Sequence, residues 1–292
     1  MSQSARCRHR IISTTIESEL LSIDAVTGKL CETFGASGRV NLRSGLGDHD
    51  HGLYYSTSPP AIIGDLIIVG GSVADNVSVD VPGGVVRAYD ARSGALVWYW
   101  DPIHPDQKPV LDEDGSQRYQ RGTTNVWSII SVDPELNQVY LPTGNTSPDN
   151  YGGHRNGSDY YSSSVVSLDA ETGKVLWHFQ TVHHDVWDYD VPSQPTFYEI
   201  EKDGTIIKAL AQTTKMGFVF LLNRENGEPI FPIEERPVPQ GAVEGDYVSA
   251  TQPFPTKPAP LTPTDFDPQH AYGFTFLDRG YCKRASSELR NE

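Results

Sequence analysis

Ten consecutive residues, Thr181–Asp190 (TVHHDVWDYD), hold two histidines (His183, His184), three carboxylates (Asp185, Asp188, Asp190) and the indole of Trp187. A carboxylate held beside a bound cation or an apolar ring can serve as a general base. If the backbone is extended, alternate residues share a face, which would turn Asp188 and Asp190, and His184 with them, the same way. The competing reading is a solvated acidic loop whose tryptophan docks between packed elements.

Two other segments offer hard oxygen ligands. In Gly70–Asn76 (GGSVADN) a β-leaning run ends in Asp75-Asn76, and in Pro142–Asp149 (PTGNTSPD) another ends in Gly144-Asn145-Thr146. Ca2+ and Mg2+ take carboxylate, amide and backbone oxygens. Asp75, Asn76, Asn145 and Asp188 would make such a set if their loops converge; singly, each reads as a turn residue. Trp127, in Thr123–Ser128 (TTNVWS), is either a flat platform for a ring cofactor or sugar, or filler between packed sheets. Lys215, in Thr213–Gly217 (TTKMG), would by itself pass as a surface lysine. The chain has no glycine-rich phosphate cradle, no G-x-S-x-G elbow and no H-E-x-x-H helix.

The elements that must position these residues announce themselves by repetition. Leu21–Phe34, Arg87–Trp100, Ser167–Phe179 and Phe220–Ile233 each carry a β-leaning run and then Asp24, Asp90, Asp169 or Asn223. A glycine follows four residues on (Gly28, Gly94, Gly173, Gly227), and then apolar or aromatic residues. The Asp or Asn side chain can bond its own backbone to start a turn, and the glycine supplies the positive φ that closes it. Each unit is therefore expected to be a hairpin. A hairpin cannot bury its apolar face alone, so repeated hairpins predict an all-β fold of the β-propeller kind.

The turns are 66, 79 and 54 residues apart, more than the roughly 40–50 residues of a short-looped blade. Polar, Gly/Pro-rich insertions at Leu42–Pro60, Ser72–Gly84, Pro102–Gly122 and Gly144–Ser158 absorb the excess and are expected to build a functional face. Further strands are expected at Ala61–Val69, Val126–Val132, Gln138–Leu141 and Ile206–Gln212. No amphipathic helix of ten residues or more is expected. Pro253–Pro268 reads as extended loop, and Cys282–Glu292 as a charged tail without a closing strand.

Composition narrows the partners. The 292 residues carry a formal charge of −15, which disfavours nucleic acid and anionic membrane surfaces. The hydrophobic fraction of 37%, the 26 glycines and the 21 prolines suit a turn-rich β chain. The most apolar stretch, Ala61–Gly71, is short and interrupted by Asp65, so no transmembrane helix is expected; Met1 is followed by no apolar signal core. Cys7, Cys31 and Cys282 lie far apart, which disfavours zinc and allows one disulfide of undetermined pairing.

Four stretches together resemble the pyrroloquinoline quinone (PQQ)-dependent dehydrogenases, within them the membrane-bound glucose/quinate/shikimate branch. They are Leu168–Phe197 (LDAETGKVLWHFQTVHHDVWDYDVPSQPTF), Thr57–Asn76 (TSPPAIIGDLIIVGGSVADN), Asp24–Leu42 (DAVTGKLCETFGASGRVNL) and Pro237–Phe254 (PVPQGAVEGDYVSATQPF). The H-H-D-x-W-D-x-D-x-P-x-Q-P run is the most specific of these motifs. The resemblance implies an eight-bladed quinoprotein β-propeller of which residues 1–292, with four repeat signatures, cover roughly half. The family's N-terminal membrane region and closing blades would lie outside it.

By the same resemblance, PQQ is the cofactor, with Ca2+ or Mg2+ beside it. A sugar or cyclic polyol is the substrate, glucose before quinate or shikimate, and ubiquinone is the electron acceptor. The setting is the periplasmic face of a bacterial inner membrane. Asp188 matches the general base, ahead of Asp185 and Asp190. Lys215 matches the basic residue on the quinone oxygens, and Trp127 the floor under the ring. Asp75 and Asn76 match the metal-side pair, Asn145 and Thr146 the second metal- and cofactor-side segment. His183 and His184 match no family role and read as structural. The rival from another class is a non-catalytic propeller scaffold, which needs no carboxylate, lysine and indole around one pocket.

Overall fold

The computed structural model describes residues 7–111, 117–202, 204–263 and 266–289. Met1, the centre of the Pro102–Gly122 insertion (112–116), part of the proline-rich stretch (264–265) and the last three residues (290–292) lie outside the described residues. So does residue 203.

The four repeat turns form as their residues dictate. Asp24 Oδ1 accepts from the Val26 and Thr27 amides (3.0 and 2.8 Å), and Asp90 Oδ1 from Arg92 and Ser93 (3.1 and 2.7 Å). Asp169 Oδ1 accepts from Thr172 (2.8 Å) and Asn223 Oδ1 from Glu225 (2.8 Å). The glycines that close the turns have φ of 69° to 76°, the left-handed region where a Cβ is penalised.

Antiparallel meanders run through these turns. The first sheet contains Arg10–Thr14, Glu19–Asp24 and Arg39–Asn41. The second contains Ala61–Ile63, Leu66–Val69, Val86–Asp90 and Leu96–Trp100. The third contains Ser131–Asp133, Gln138–Pro142, Ser164–Asp169 and Val175–Gln180. The fourth contains Thr196–Lys202, Thr205–Thr213 and Val219–Asn223. A separate hairpin pairs Ile233–Pro237 with Thr251–Pro255, and two short two-stranded ladders occupy the insertions.

Several expected elements differ. The second and third repeats are full hairpins, but the first and fourth keep only single bridges beyond their turns (Ile23 to Leu30, Leu222 to Pro229). Pro229 and Pro232 lack amide hydrogens and cannot continue a ladder. In the first repeat, Cys31 turns back to a disulfide with Cys7. The run Ala61–Val69 is two strands folded at Gly64-Asp65, and Val126–Val132 yields strand only from Ser131. A helix forms at Phe276–Ser287, started by a capping box in which Thr275 and Asp278 exchange side-chain-to-backbone bonds. None of its residues is buried, so local capping and not core packing defines it.

The core lies between sheets. Ile67 packs towards the first sheet with Leu20 and Phe34, while its neighbour Ile68 packs towards the third with Val139 and Leu141. Tyr140 and Val165 face the fourth sheet with Leu210 and Leu222, while Val139 and Val166 face the second. The strand period of two thus loads both faces of each central sheet, as face-to-face stacking of propeller blades requires.

Candidate active site

The candidate residues come from different sheets but sit at one end of the stack. Asp75 follows Leu66–Val69, and Asn145 and Asp149 follow Gln138–Pro142. Asp185, Asp188 and Asp190 follow Val175–Gln180, and Lys215 follows Thr205–Thr213. These strands are second or fourth in their meanders, run the same way, and so deliver their C-terminal loops to one edge. Trp127 enters from the long connection between the second and third sheets.

At that edge Lys215 is the hub. Its Nζ donates to the Asp188 carbonyl (2.8 Å), pairs with Asp188 Oδ1 (3.1 Å) and pairs with the Asp190 carboxylate. The second oxygen of Asp190 accepts from Trp127 Nε1 at 2.6 Å. Trp127 is in turn fixed through its carbonyl by the hydroxyls of Thr57 and Ser58 (2.6 and 2.7 Å). Burial alone would lower the Lys215 ammonium, but bonding to Asp190 and Asp188 outweighs it and leaves the group above its ordinary value.

The three candidate bases separate by surroundings. Asp185 is fully buried, its carboxylate taking the Ser163 hydroxyl (2.6 Å) and the Trp187 amide (3.0 Å). Asp190 is 4% exposed and shut in by Trp127 and Lys215; burial pushes its carboxyl up to about 6 against those donors. Asp188 keeps 41% of its side chain exposed beside the ammonium, and its backbone sits at φ 58°, which non-glycine residues seldom adopt. Asp188 and Asp190 do share a partner, Lys215, although the left-handed backbone at Asp188 means that simple alternation on an extended chain is not what brings them together. His184 does not join them, because its own φ of 46° bends the chain away.

A second cluster adjoins this one. Asp75 Oδ2 accepts from Asn125 Nδ2 (2.9 Å), and burial raises its carboxyl, with the charge of Asp188 adding to the effect. Burial, then the charges of Asp75, Asp188, Asp190 and Asp185, push Asp149 up to about 8. Asp149 Oδ1 and Asn125 Oδ1 are buried without hydrogen-bond partners. Crowded, desolvated carboxylates with orphaned oxygens are short of positive charge, which a divalent cation would supply. The donors are carboxylate and amide oxygens of the kind Ca2+ and Mg2+ take. Among the described residues, no three His, Cys, Asp or Glu side chains already stand as a ready-made metal cage, so amide oxygens would have to complete one.

The remaining candidates are placed differently. Asn76 is exposed at the rim, where its Oδ1 accepts from Asn150 (3.2 Å). Asn145 is buried; its Nδ2 bridges the carbonyls of Asp149 and Asp185 (3.1 and 2.9 Å), and its Oδ1 accepts from the Thr146 amide (2.8 Å). The Thr146 hydroxyl donates within its own loop to the Ser158 carbonyl (3.3 Å). Asn125 and Asp149 are the site residues that motif reading passed over. Both lie inside segments singled out for a neighbour, Trp127 and Asn145.

His183 bonds Gln180 (2.8 Å) and Glu235 (3.1 Å), whereas His184 lies between Asp159 (2.7 Å) and Asp246 (2.9 Å) with Tyr247 stacked on its ring. Trp187 and Tyr189 line a cavity of about 580 Å³ with Phe218, Phe254 and Val243.

The profile of one family, described as the PQQ glucose/ethanol/alcohol dehydrogenase β-propeller domain, matches residues 1–292. The quinoprotein glucose dehydrogenase of Escherichia coli (strain K12) is 40% identical over 295 residues, covering 99% of this chain and 36% of that protein. The glycerol dehydrogenase large subunit of Gluconobacter oxydans (strain 621H) is 41% identical over 280 residues, covering 95% of this chain and 37% of that one. The quinate/shikimate dehydrogenase (quinone) of Acinetobacter baylyi is 38% identical over 293 residues, covering 99% and 36%. Among solved structures, the quinohemoprotein alcohol dehydrogenase of Comamonas testosteroni aligns with a TM-score of 0.61 at 27% identity, over 85% of this chain and 37% of that one. The chain thus spans little more than a third of the length of these relatives.

Proposed function

The chain belongs to the PQQ-dependent quinoprotein dehydrogenases, and from that membership we propose that it carries the catalytic face of an enzyme oxidising a sugar or cyclic polyol. Glucose to gluconolactone is the leading reaction, with electrons passed on to ubiquinone; quinate or shikimate is the alternative substrate class. The relatives named for glucose, glycerol and quinate/shikimate match at similar identity, so a substrate panel must choose among them.

One observation carries the reading: in the chain Trp127–Asp190–Lys215–Asp188, the last carboxylate alone of the three candidate bases is open and held next to a fixed ammonium. Asp188 would take the proton from the substrate hydroxyl. Lys215 would place positive charge where negative charge develops on the cofactor side, and Trp127, fixed at its indole nitrogen and at its carbonyl, offers the flat floor. PQQ supplies the two-electron acceptor and a divalent cation the Lewis acid. Asp75, Asp188 and the oxygens of Asn125 and Asp149 would hold that cation. Asn145 and Asn76 would contribute through their loops, and Thr146 would close the cofactor side. A scaffold propeller has no use for such a costly carboxylate cluster. By analogy with the family, the setting would be the periplasmic face of the inner membrane; among the described residues no helix is long and apolar enough to cross a membrane.

The test is a titration of the 292-residue chain with PQQ plus Ca2+ or Mg2+, followed by tryptophan quenching. Dye reduction is then measured with glucose, glycerol, quinate and shikimate. Metal-dependent quenching with sugar-dependent dye reduction is expected. A folded chain with neither result would overturn the reading for this chain.

A further inference from the structure

Arg155 is a buried guanidinium, 4% exposed, in the loop between Gln138–Pro142 and Ser164–Asp169. Among the described residues its acceptors are all main-chain carbonyls. Nη1 donates to Asp185 (2.5 Å), and Nη2 to Pro148 (3.0 Å) and Asp149 (3.1 Å). Asn145 makes the same connection a second time, its Nδ2 reaching the carbonyls of both Asp149 and Asp185. Two side chains therefore tie the same two points of the backbone. One point carries Asp149, whose Oδ1 is unpartnered, and the other lies three residues before Asp188.

This is costly for a part that only fills space. A buried cation left with neutral acceptors, and with Nε unpartnered, loses hydration that carbonyls only partly replace. Burial indeed holds the guanidinium below its ordinary value, although Asp159, Asp185, Asp246 and Asp149 lie near enough to favour its charge. What the guanidinium provides is a rigid planar fork, which fixes the separation of two carbonyls as no single-headed donor can. The Asp185 side chain is pinned as well, by Ser163 and the Trp187 amide. The segment leading to Asp188 is thus anchored on both sides of its first residue.

We propose that Arg155 is a positioning residue that sets the spacing between the Asp149 loop and the Asp188 loop, and so between the cation-side oxygens and the base. The proposal rests on the functional reading above but is tested separately from it. Arg155→Lys keeps a cation but loses the fork. The first readout needs no cofactor: hydrogen exchange of the peptides covering 145–149 and 185–190, with the rest of the chain as reference. Both peptides should lose protection together, by about tenfold, while the far-UV spectrum is kept. The second readout is PQQ affinity in Ca2+, which should fall by about tenfold or more, as when the outer partners of metal ligands are removed, with kcat falling further than sugar KM changes.

Unchanged exchange in both peptides overturns the proposal whatever the activity. If Arg155→Lys does not fold, Arg155→Gln decides, since it keeps a planar donor but has neither the fork nor the buried charge. Weakened PQQ binding by that variant supports the clamp, and wild-type binding and exchange overturn it. A wild-type chain that takes up no PQQ with Ca2+ overturns the functional reading instead, and the exchange data then judge the clamp on their own.

Discussion

Trp98 lies over Gly173. The indole Nε1 donates to the Ala170 carbonyl at 2.8 Å, and a methyl group on Gly173 would fall 2.5 Å from the ring. The relationship recurs one repeat later, where Trp177 donates to the Arg224 carbonyl (3.1 Å) and a methyl on Gly227 would come within 2.6 Å of the indole. In the first pair of repeats Phe34 stands near Gly94 in the same manner. The turn glycines of the second, third and fourth repeats therefore serve twice: they allow the left-handed backbone, and they leave room for the aromatic ring of the repeat before.

Gly173→Ala should accordingly destabilise the chain by more than backbone strain alone. A left-handed residue with a side chain costs about 1–2 kcal/mol, and displacing a packed indole adds about as much or more. Trp98→Phe, which keeps most of the ring but loses one hydrogen bond, should cost about 1 kcal/mol. Urea unfolding of the two variants should rank them in that order. Equal midpoints would mean that the indole moves aside without penalty.

What was legible in the sequence follows from the range of the interactions. The turns could be read because Asp90 and Gly94 act on one another within five residues, through the Asp90 carbonyl and the Gly94 amide (2.8 Å). The outer arms of the first and fourth repeats misled because the pattern of apolar residues persists where Pro229 and Cys31 have other commitments. At the site, Asp188 lay in a dense polar run, but Lys215 and Trp127 gained their roles only through the family resemblance. Arg155 carried no signal, since its partner Asp185 lies 30 residues away across a loop. Asn125 meets Asp75 over a separation of 50 residues. Convergence of loops is a property of the stacked sheets, and no local spacing encodes it.

Asp188→Asn should separate chemistry from binding. The amide oxygen can still accept from Lys215, so the Asp190–Lys215 pair and the Trp127 floor should persist, while the proton acceptor is lost. PQQ affinity should stay within a few-fold of wild type and kcat should fall by about 10²–10⁴. Stopped-flow quenching and steady-state dye reduction on the same preparation check both halves. Wild-type turnover would remove Asp188 from the mechanism.

The Cys7–Cys31 bridge closes a segment of sequence separation 24 around the first turn. The Cys7 amide also donates to the Asp24 carboxylate, which holds that carboxyl down at about 2. Loop closure of this length is worth about 3 kcal/mol. Dithiothreitol should therefore lower the urea midpoint of the wild type, while Cys31→Ser should start lower and not respond to reductant. Fraying should show first in Arg10–Thr14 and Glu19–Asp24 by hydrogen exchange.

His184 gives the segment around Asp246 a pH-dependent hold. Burial would lower the imidazole, but the bonds to Asp159 and Asp246 outweigh it and raise it above its ordinary value, with the nearby Arg155 opposing. Both carboxyls are lowered in return: burial works against this, and the His184 bond prevails. Tyr247, stacked at 3.7 Å, covers the ring, and its phenol is raised by burial. A raised histidine contributes stability that is complete below its unfolded value and lost as pH climbs through the folded one. The lowered carboxylates contribute above their unfolded values and fail as pH falls through the folded ones. The hold should therefore be full between about pH 4 and 6.5 and weaken on either side. Glu244 lies in the held segment, so cleavage there by a glutamate-specific protease, scaled to a peptide standard, should accelerate as pH rises above neutrality. His184→Asn should give faster cleavage with no such pH dependence. A wild-type rate that tracks the peptide standard at every pH would show that the histidine does not secure the segment.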